Sequence, residues 1–105
     1  MNAVFKALAD PTRRKVLELL REQPLTAGEL AAHFPVSRPT MSAHFAVLRE
    51  ADLVEATKIG TTITYQLKLS VLEDALLGFA RLFAPRTADN APAAPAITLK
   101  DGAAK

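Results

Sequence analysis

Two helix-sized segments with almost nothing between them constrain this chain most. Thr26-Ala27-Gly28-Glu29 places a hydroxyl three residues ahead of a carboxylate, the capping-box mark of a helix start. That spacing predicts a helix of two turns carrying Leu30, Ala31 and Phe34, which Pro35 stops because it has no N–H to continue the ladder. Ser37-Arg38-Pro39 begins the next helix, Ser as cap and Pro in the first turn, running to about Ala51. Its apolar Met41, Phe45 and Leu48 fall on one helical face. Pro35 and Val36 alone separate the two, which predicts a tight helix–turn–helix corner.

The flanking segments extend this pattern. Residues 2–8, with Val4, Phe5 and Leu8, suit a short amphipathic helix. Asp10-Pro11 opens another, to about Arg21, with Val16, Leu17, Leu19 and Leu20 as its apolar positions. Beyond the corner, Ile63, Tyr65 and Leu67 alternate with Thr62, Thr64 and Gln66, and Lys58-Ile59-Gly60-Thr61 supplies a turn in which Gly60 is free to take positive φ. Ser70-Val71-Leu72-Glu73 reads as a second capping box, opening a helix to about Ala84. Leu72, Ala75, Leu76, Phe79, Leu82 and Phe83 form a wide stripe on it, with Val71 and Leu77 off the stripe. A helix apolar on most sides must be covered on most sides, and so small a domain has too little material to do so alone. The expected fold is mainly α with a small β-hairpin, an α+β winged helix–turn–helix.

Residues 1–85 make the expected domain. Residues 86–105 are rich in Ala and Pro (Pro92, Pro95), with Ile97 and Leu99 as their large aliphatics, and are expected to be a disordered tail. The chain has no Cys, which excludes disulfides, Fe–S clusters and thiolate nucleophiles. Apolar runs are interrupted by charge well short of the roughly 18 residues of a membrane span, and no secretory leader is expected, so a cytoplasmic protein is the expectation. A net charge of +2 is too small to argue for nucleic acid unless the cations are concentrated in one place.

Three segments carry a family resemblance: Phe5-Lys6-Ala7-Leu8-Ala9-Asp10-Pro11-Thr12-Arg13-Arg14, then Leu30-Ala31-Ala32-His33-Phe34, then Ser37 through Leu48. Leu53-Val54 and a Gly60-centred wing ending in Tyr65 follow in register. Over roughly residues 2–83 the chain resembles the ArsR/SmtB-type winged-helix repressors. Met1 through Leu8 and Thr26 through Leu30 look most like the autorepressor branch related to the sporulation-delay repressor. The resemblance implies a homodimeric transcriptional repressor of a palindromic operator, often its own. Its partners would be double-stranded DNA and a second copy of itself, and it leaves open whether a small molecule or a protein acts as effector.

The face opposite Met41, Phe45 and Leu48 shows Ser37, Arg38, Pro39, Thr40, Ser42, Ala43 and His44, with no acidic residue before Glu50. Arg can pair bidentately with guanine, Ser and Thr can bond either base, and Ala can touch the thymine methyl. Ala43 departs from the family, which often has a basic or long polar residue there. His44 has two readings: donor to a phosphate, or a partly buried group orienting the helix. In the wing, Lys58 is the one strong cation beside Gly60, Thr61 and Thr62, so a modest contribution is expected. Arg13, Arg14 and Lys15 oppose the dipole at their helix N-terminus, which invites phosphate contact, a partner ion pair, or Arg14–Glu18 pairing on a solvated face. Asp52 stands where the family usually has Gly in the left-handed region, which Asp tolerates at some cost.

The expected dimer seam joins the first and last helices through Val4, Phe5, Leu8, Leu72, Leu76, Phe79 and Phe83. Metal sensing and cofactors are not expected: Glu29 and His33 sit one turn apart, but two ligands do not make a site. No phosphate loop or nucleophile–base arrangement suggests an enzyme. The competing reading is a winged-helix protein-interaction module that no longer reads DNA, hinted at by the sparse wing and Ala43.

Overall fold

The computed structural model describes residues 2–85; the expected tail, 86–105, lies outside them. The elements run α1 (Asn2–Leu8), α2 (Pro11–Glu22), β1 (Leu25–Thr26), α3 (Ala27–Ala31), α4 (Arg38–Glu50), β2 (Val54–Ile59), β3 (Thr62–Leu67) and α5 (Leu69–Arg81). The sheet is antiparallel in the order β1-β3-β2. β1 was not expected. It contributes only Leu25 opposite Tyr65 and Thr26 opposite Thr64, yet it converts the hairpin into three strands and half-buries Thr64.

The core is one cluster joining Val4 and Ala7 of α1, Val16, Leu17 and Leu20 of α2, Leu30 of α3, Met41, Phe45 and Leu48 of α4, and Tyr65 of β3. Leu30 and Leu48 are fully enclosed, so burial of α4's apolar face fixes its rotation about its axis. Phe45 and Tyr65 stack with ring centroids 4.7 Å apart, tying α4 to the sheet. Burial pushes the Tyr65 phenol above its ordinary range, against a lowering by the Arg49 guanidinium.

Three local expectations change. The connection between α3 and α4 is longer than two residues, because helical order gives way after Ala31 to tightened turns. There His33 N–H bonds Leu30 O (3.0 Å) and Phe34 N–H bonds Ala31 O (3.1 Å) before Pro35 ends the run. The Ser70 capping box does not form: α5 starts two residues earlier, at Leu69, with Lys68 as its N-cap and no side-chain cap bond. The wing turn is also shorter than expected. Ile59 pairs with Thr62, leaving Gly60-Thr61 as a two-residue loop and placing Lys58 inside β2. Gly60 has φ +62°, which favours glycine there.

α4 ends as its sequence requires. Asp52 takes φ +61°, Leu53 N–H reaches Leu48 O (3.1 Å) and Asp52 N–H reaches Arg49 O (2.9 Å), a Schellman closure in which Leu48 and Leu53 are both fully buried. The Asp52 carboxylate accepts from Lys68 Nζ at 2.7 Å, and that bond raises the ammonium's pKa.

Candidate nucleic-acid interface

α4 presents its first two turns outward. Ser37, Arg38, Pro39, Thr40, Ser42 and Ala43 are all exposed, while Met41 between them is buried. Ser37 caps the helix by accepting from Thr40 N–H (3.2 Å), and its hydroxyl donates to Thr40 Oγ1 (2.9 Å). The Thr40 hydroxyl therefore keeps its own proton for an outside acceptor. Lys58, Gly60, Thr61 and Thr62 are exposed on the wing.

Two of these groups come together. One cleft is lined by Arg38 of α4, Thr61, Thr62 and Ile63 of the wing, and Thr26, Ala27 and Gly28 at the start of α3. A guanidinium and the two wing hydroxyls thus border one concavity, donors suited to a phosphate backbone. The α3 residues were not among the expected site; the capping box marked a helix start but could not show that it adjoins the wing. Ile59, 76% exposed on β2, was likewise not singled out.

His44 stands apart from the other reading-helix residues. Its side chain is only 15% exposed, its Nδ1 lies 3.1 Å from Arg13 Nη1 and 3.9 Å from Asp10 Oδ2. The partial burial is the feature named in the second of the two readings. Asp10 in turn caps α2 by accepting from Arg13 N–H at 3.1 Å. Desolvation is the largest single influence and raises the Asp10 carboxyl, but the bonds from Arg13 and Thr12 N–H together with the His44 and Arg13 charges outweigh it and hold the carboxyl below its ordinary value.

The basic run at the start of α2 has a local explanation. Arg13 Nε donates to Ala7 O and Arg13 Nη2 to Lys6 O, both at 2.8 Å, and Arg14 Nη1 donates to Leu8 O at 2.7 Å. These carbonyls end α1, where cations are favourable. The expected Arg14–Glu18 pair does not form; Lys15 Nζ approaches Glu18 instead, at 3.7 Å.

Of the expected seam, Val4 belongs to the protomer's own core at 6% exposed, because α1 lays that side against α4. Phe5, Leu8 and Leu72 are half-buried. α5 has no buried residue, and Leu69, Leu76, Leu77, Phe79, Leu82 and Phe83 are all exposed. Phe79 stacks on Phe5 (4.7 Å) and Phe83 (5.2 Å), so an aromatic strip runs from α1 along the outer side of α5. Among the described residues there is no group of three or more His, Cys, Asp or Glu, and no helix long and apolar enough to cross a membrane. Glu29 is already engaged, accepting from Thr26 N–H at 2.8 Å.

The chain is similar in sequence and fold to known bacterial proteins. Residues 10–56 match the family described as "Bacterial regulatory protein, arsR family". The transcriptional repressor SdpR of Bacillus subtilis is 45% identical over 76 residues, 72% of this chain and 84% of that protein. Other relatives include repressors of arsenical resistance operons in staphylococci. The crystal structure of an ArsR family transcriptional regulator matches with a TM-score of 0.70 at 33% identity, over 81% of this chain and 97% of the other. A Mycobacterium bovis domain described as a homodimeric winged helix-turn-helix DNA-binding domain matches at 0.62 and 28% identity, over 76% of each chain. With the exposed start of α4, the wing and these relatives together, the chain belongs to the ArsR family of bacterial transcriptional regulators.

Proposed function

We propose that the protein is a homodimeric, sequence-specific repressor that binds a palindromic operator at its own or a neighbouring promoter, without a metal signal. The observation that carries this is the outward, acid-free start of α4, held rigidly by its buried opposite face and bordering the wing through Arg38, Thr61 and Thr62. Arg38, Thr40, Ser42 and Ala43 read base edges in the major groove. Lys58 and the wing hydroxyls hold phosphates, and the aromatic strip of α1 and α5 joins two copies so that their α4 helices lie about one DNA turn, ~34 Å, apart. The Glu29 carboxylate already accepts from Thr26 N–H, which makes it a poor metal ligand beside His33.

The deciding experiment titrates the purified protein against the DNA upstream of its own coding region, at two salt concentrations, with sedimentation of the same samples. A dimer binding with a steep salt dependence supports the proposal, and added zinc or arsenite is expected to leave the affinity unchanged. A stable monomer indifferent to every duplex would instead favour the protein-interaction module.

A further inference from the structure

We infer that Arg13 and His44 form a clasp through which α1 sets the position of the reading helix, so that Arg13 is a positioning residue for DNA recognition. The inference rests on the DNA-binding reading above and names a residue pair inside it.

The geometry is specific. One guanidinium bonds three separate groups: Nε to Ala7 O, Nη2 to Lys6 O and Nη1 to His44 Nδ1, at 2.8, 2.8 and 3.1 Å. The first two are the terminal carbonyls of α1, and the third lies midway along α4. The Arg13 backbone N–H is fixed in addition by Asp10 Oδ2. Three helices therefore meet on one planar fork, whose donors cannot turn independently.

The clasp uses one tautomer of the imidazole. Arg13 offers only donors, so the contact is a hydrogen bond where Nδ1 carries the lone pair and Nε2 the proton. The charged groups facing the ring are Arg13 and the Asp10 carboxylate, 3.9 Å away, both on or beside α2. His44 is one turn from Thr40 and next to Ala43, so a small rotation of α4 at His44 moves the groups proposed to reach the bases. Base contacts tolerate little displacement, and a site depends on the shell that supports it. α1 is also the helix whose Phe5 joins the aromatic strip with Phe79. Movement of α1 on pairing would then reach α4 through Arg13.

Four variants test the clasp by operator-binding anisotropy, with thermal melting of each as the check on folding. Arg13→Lys keeps the charge and loses the fork. His44→Gln retains a donor near the Nε2 position and removes the acceptor at Nδ1. His44→Asn keeps an acceptor near Nδ1. The fourth is the Arg13→Lys/His44→Gln double variant. The clasp predicts that Arg13→Lys and His44→Gln each weaken operator binding about tenfold, the scale of one lost charge-assisted bond. It further predicts that the double variant is no weaker than either single one, and that His44→Asn stays within about twofold of the wild type.

Near-wild-type binding by His44→Gln, or a double variant whose loss is the product of the two, overturns the clasp. A fifth protein, Arg13→Gln, separates positioning from direct contact. An unchanged slope of affinity against salt supports positioning, whereas a slope lower by about 0.9 shows that Arg13 itself held a phosphate and overturns it. Wild-type protein that binds no duplex refutes the DNA reading itself, an outcome distinct from wild-type binding that the variants leave untouched.

Discussion

Phe79→Glu tests the proposed seam directly. Phe79 is 41% exposed in the protomer, on the outer side of α5. A Phe side chain offers about 200 Å² of surface, so about 80 Å² of ring per copy, or about 160 Å² per pair, awaits cover. At ~25 cal/mol/Å² that burial is worth about 4 kcal/mol to the dimer, close to a thousandfold in its dissociation constant. This is an upper figure, and two glutamates brought to the seam add a desolvation cost in the same direction. The protomer should survive, because Phe79 lies outside the buried cluster, although its contact with Phe5 is lost. Sedimentation equilibrium should show monomers at concentrations where the wild type is paired, and operator binding should fall in parallel. An unchanged association constant, or a clean monomer that binds the operator as tightly as the wild type, refutes the reasoning.

Arg38→Ala is expected to cost about 1–3 kcal/mol of operator affinity and to relax preference at one base pair. A panel of operators changed one position at a time reads this, and an equal loss on every duplex would count against base contact. Lys58→Ala should weaken all duplexes alike and lower the salt slope by about 0.9, so an unaltered slope removes the wing cation from the interface. Asp10→Ala removes the cap of α2 and should lower stability by about 1 kcal/mol in thermal melts. Because the folded carboxyl of Asp10 lies below its unfolded value, its contribution is present above about pH 4 and is lost as pH falls through the folded value. The melting difference between wild type and Asp10→Ala should therefore shrink in acid; a gap constant with pH would show that the charge plays no part.

How much of this was legible in the sequence depended on the range of the interactions concerned. The outward face of α4 was legible because Met41, Phe45 and Leu48 must be covered, and all three are buried. Asp52 was legible as a left-handed position, since helix closure is local. β1 was not: two residues carry no period, and Leu25-Thr26 is a strand only because Tyr65 and Thr64 lie opposite. The missing cap at Ser70 has a similar origin. Lys68, bonded through its N–H to Leu53 O at 2.9 Å, leaves the sheet already placed to start α5, so the helix begins before the serine. For Arg13 and Arg14 the dipole conflict was visible, but its resolution involves carbonyls of the preceding helix, which depend on how α1 turns into α2.

The division of labour along α4 follows from these anchors. Its second half is fixed by the buried Leu48 and Leu53, by Phe45 on Tyr65 and by the closure at Asp52. Its first half projects side chains from a backbone secured only by the Ser37 cap, the buried Met41 and the clasp on His44. Substitutions of the buried Phe45 or Leu48 should therefore destabilise the protein, whereas those at Arg38, Thr40, Ser42 or Ala43 should change which duplex is bound with little effect on melting. That separation of stability from specificity is what a reading helix needs, because exposed groups bear small folding costs and their contacts with bases are made only in the complex. Ala43 is the informative position. Its exposed methyl can be exchanged for a longer polar side chain without disturbing the core, so Ala43→Gln should shift operator preference at an unchanged melting temperature. A variant that instead melts early would show that Ala43 packs against the protein and is not free to read DNA.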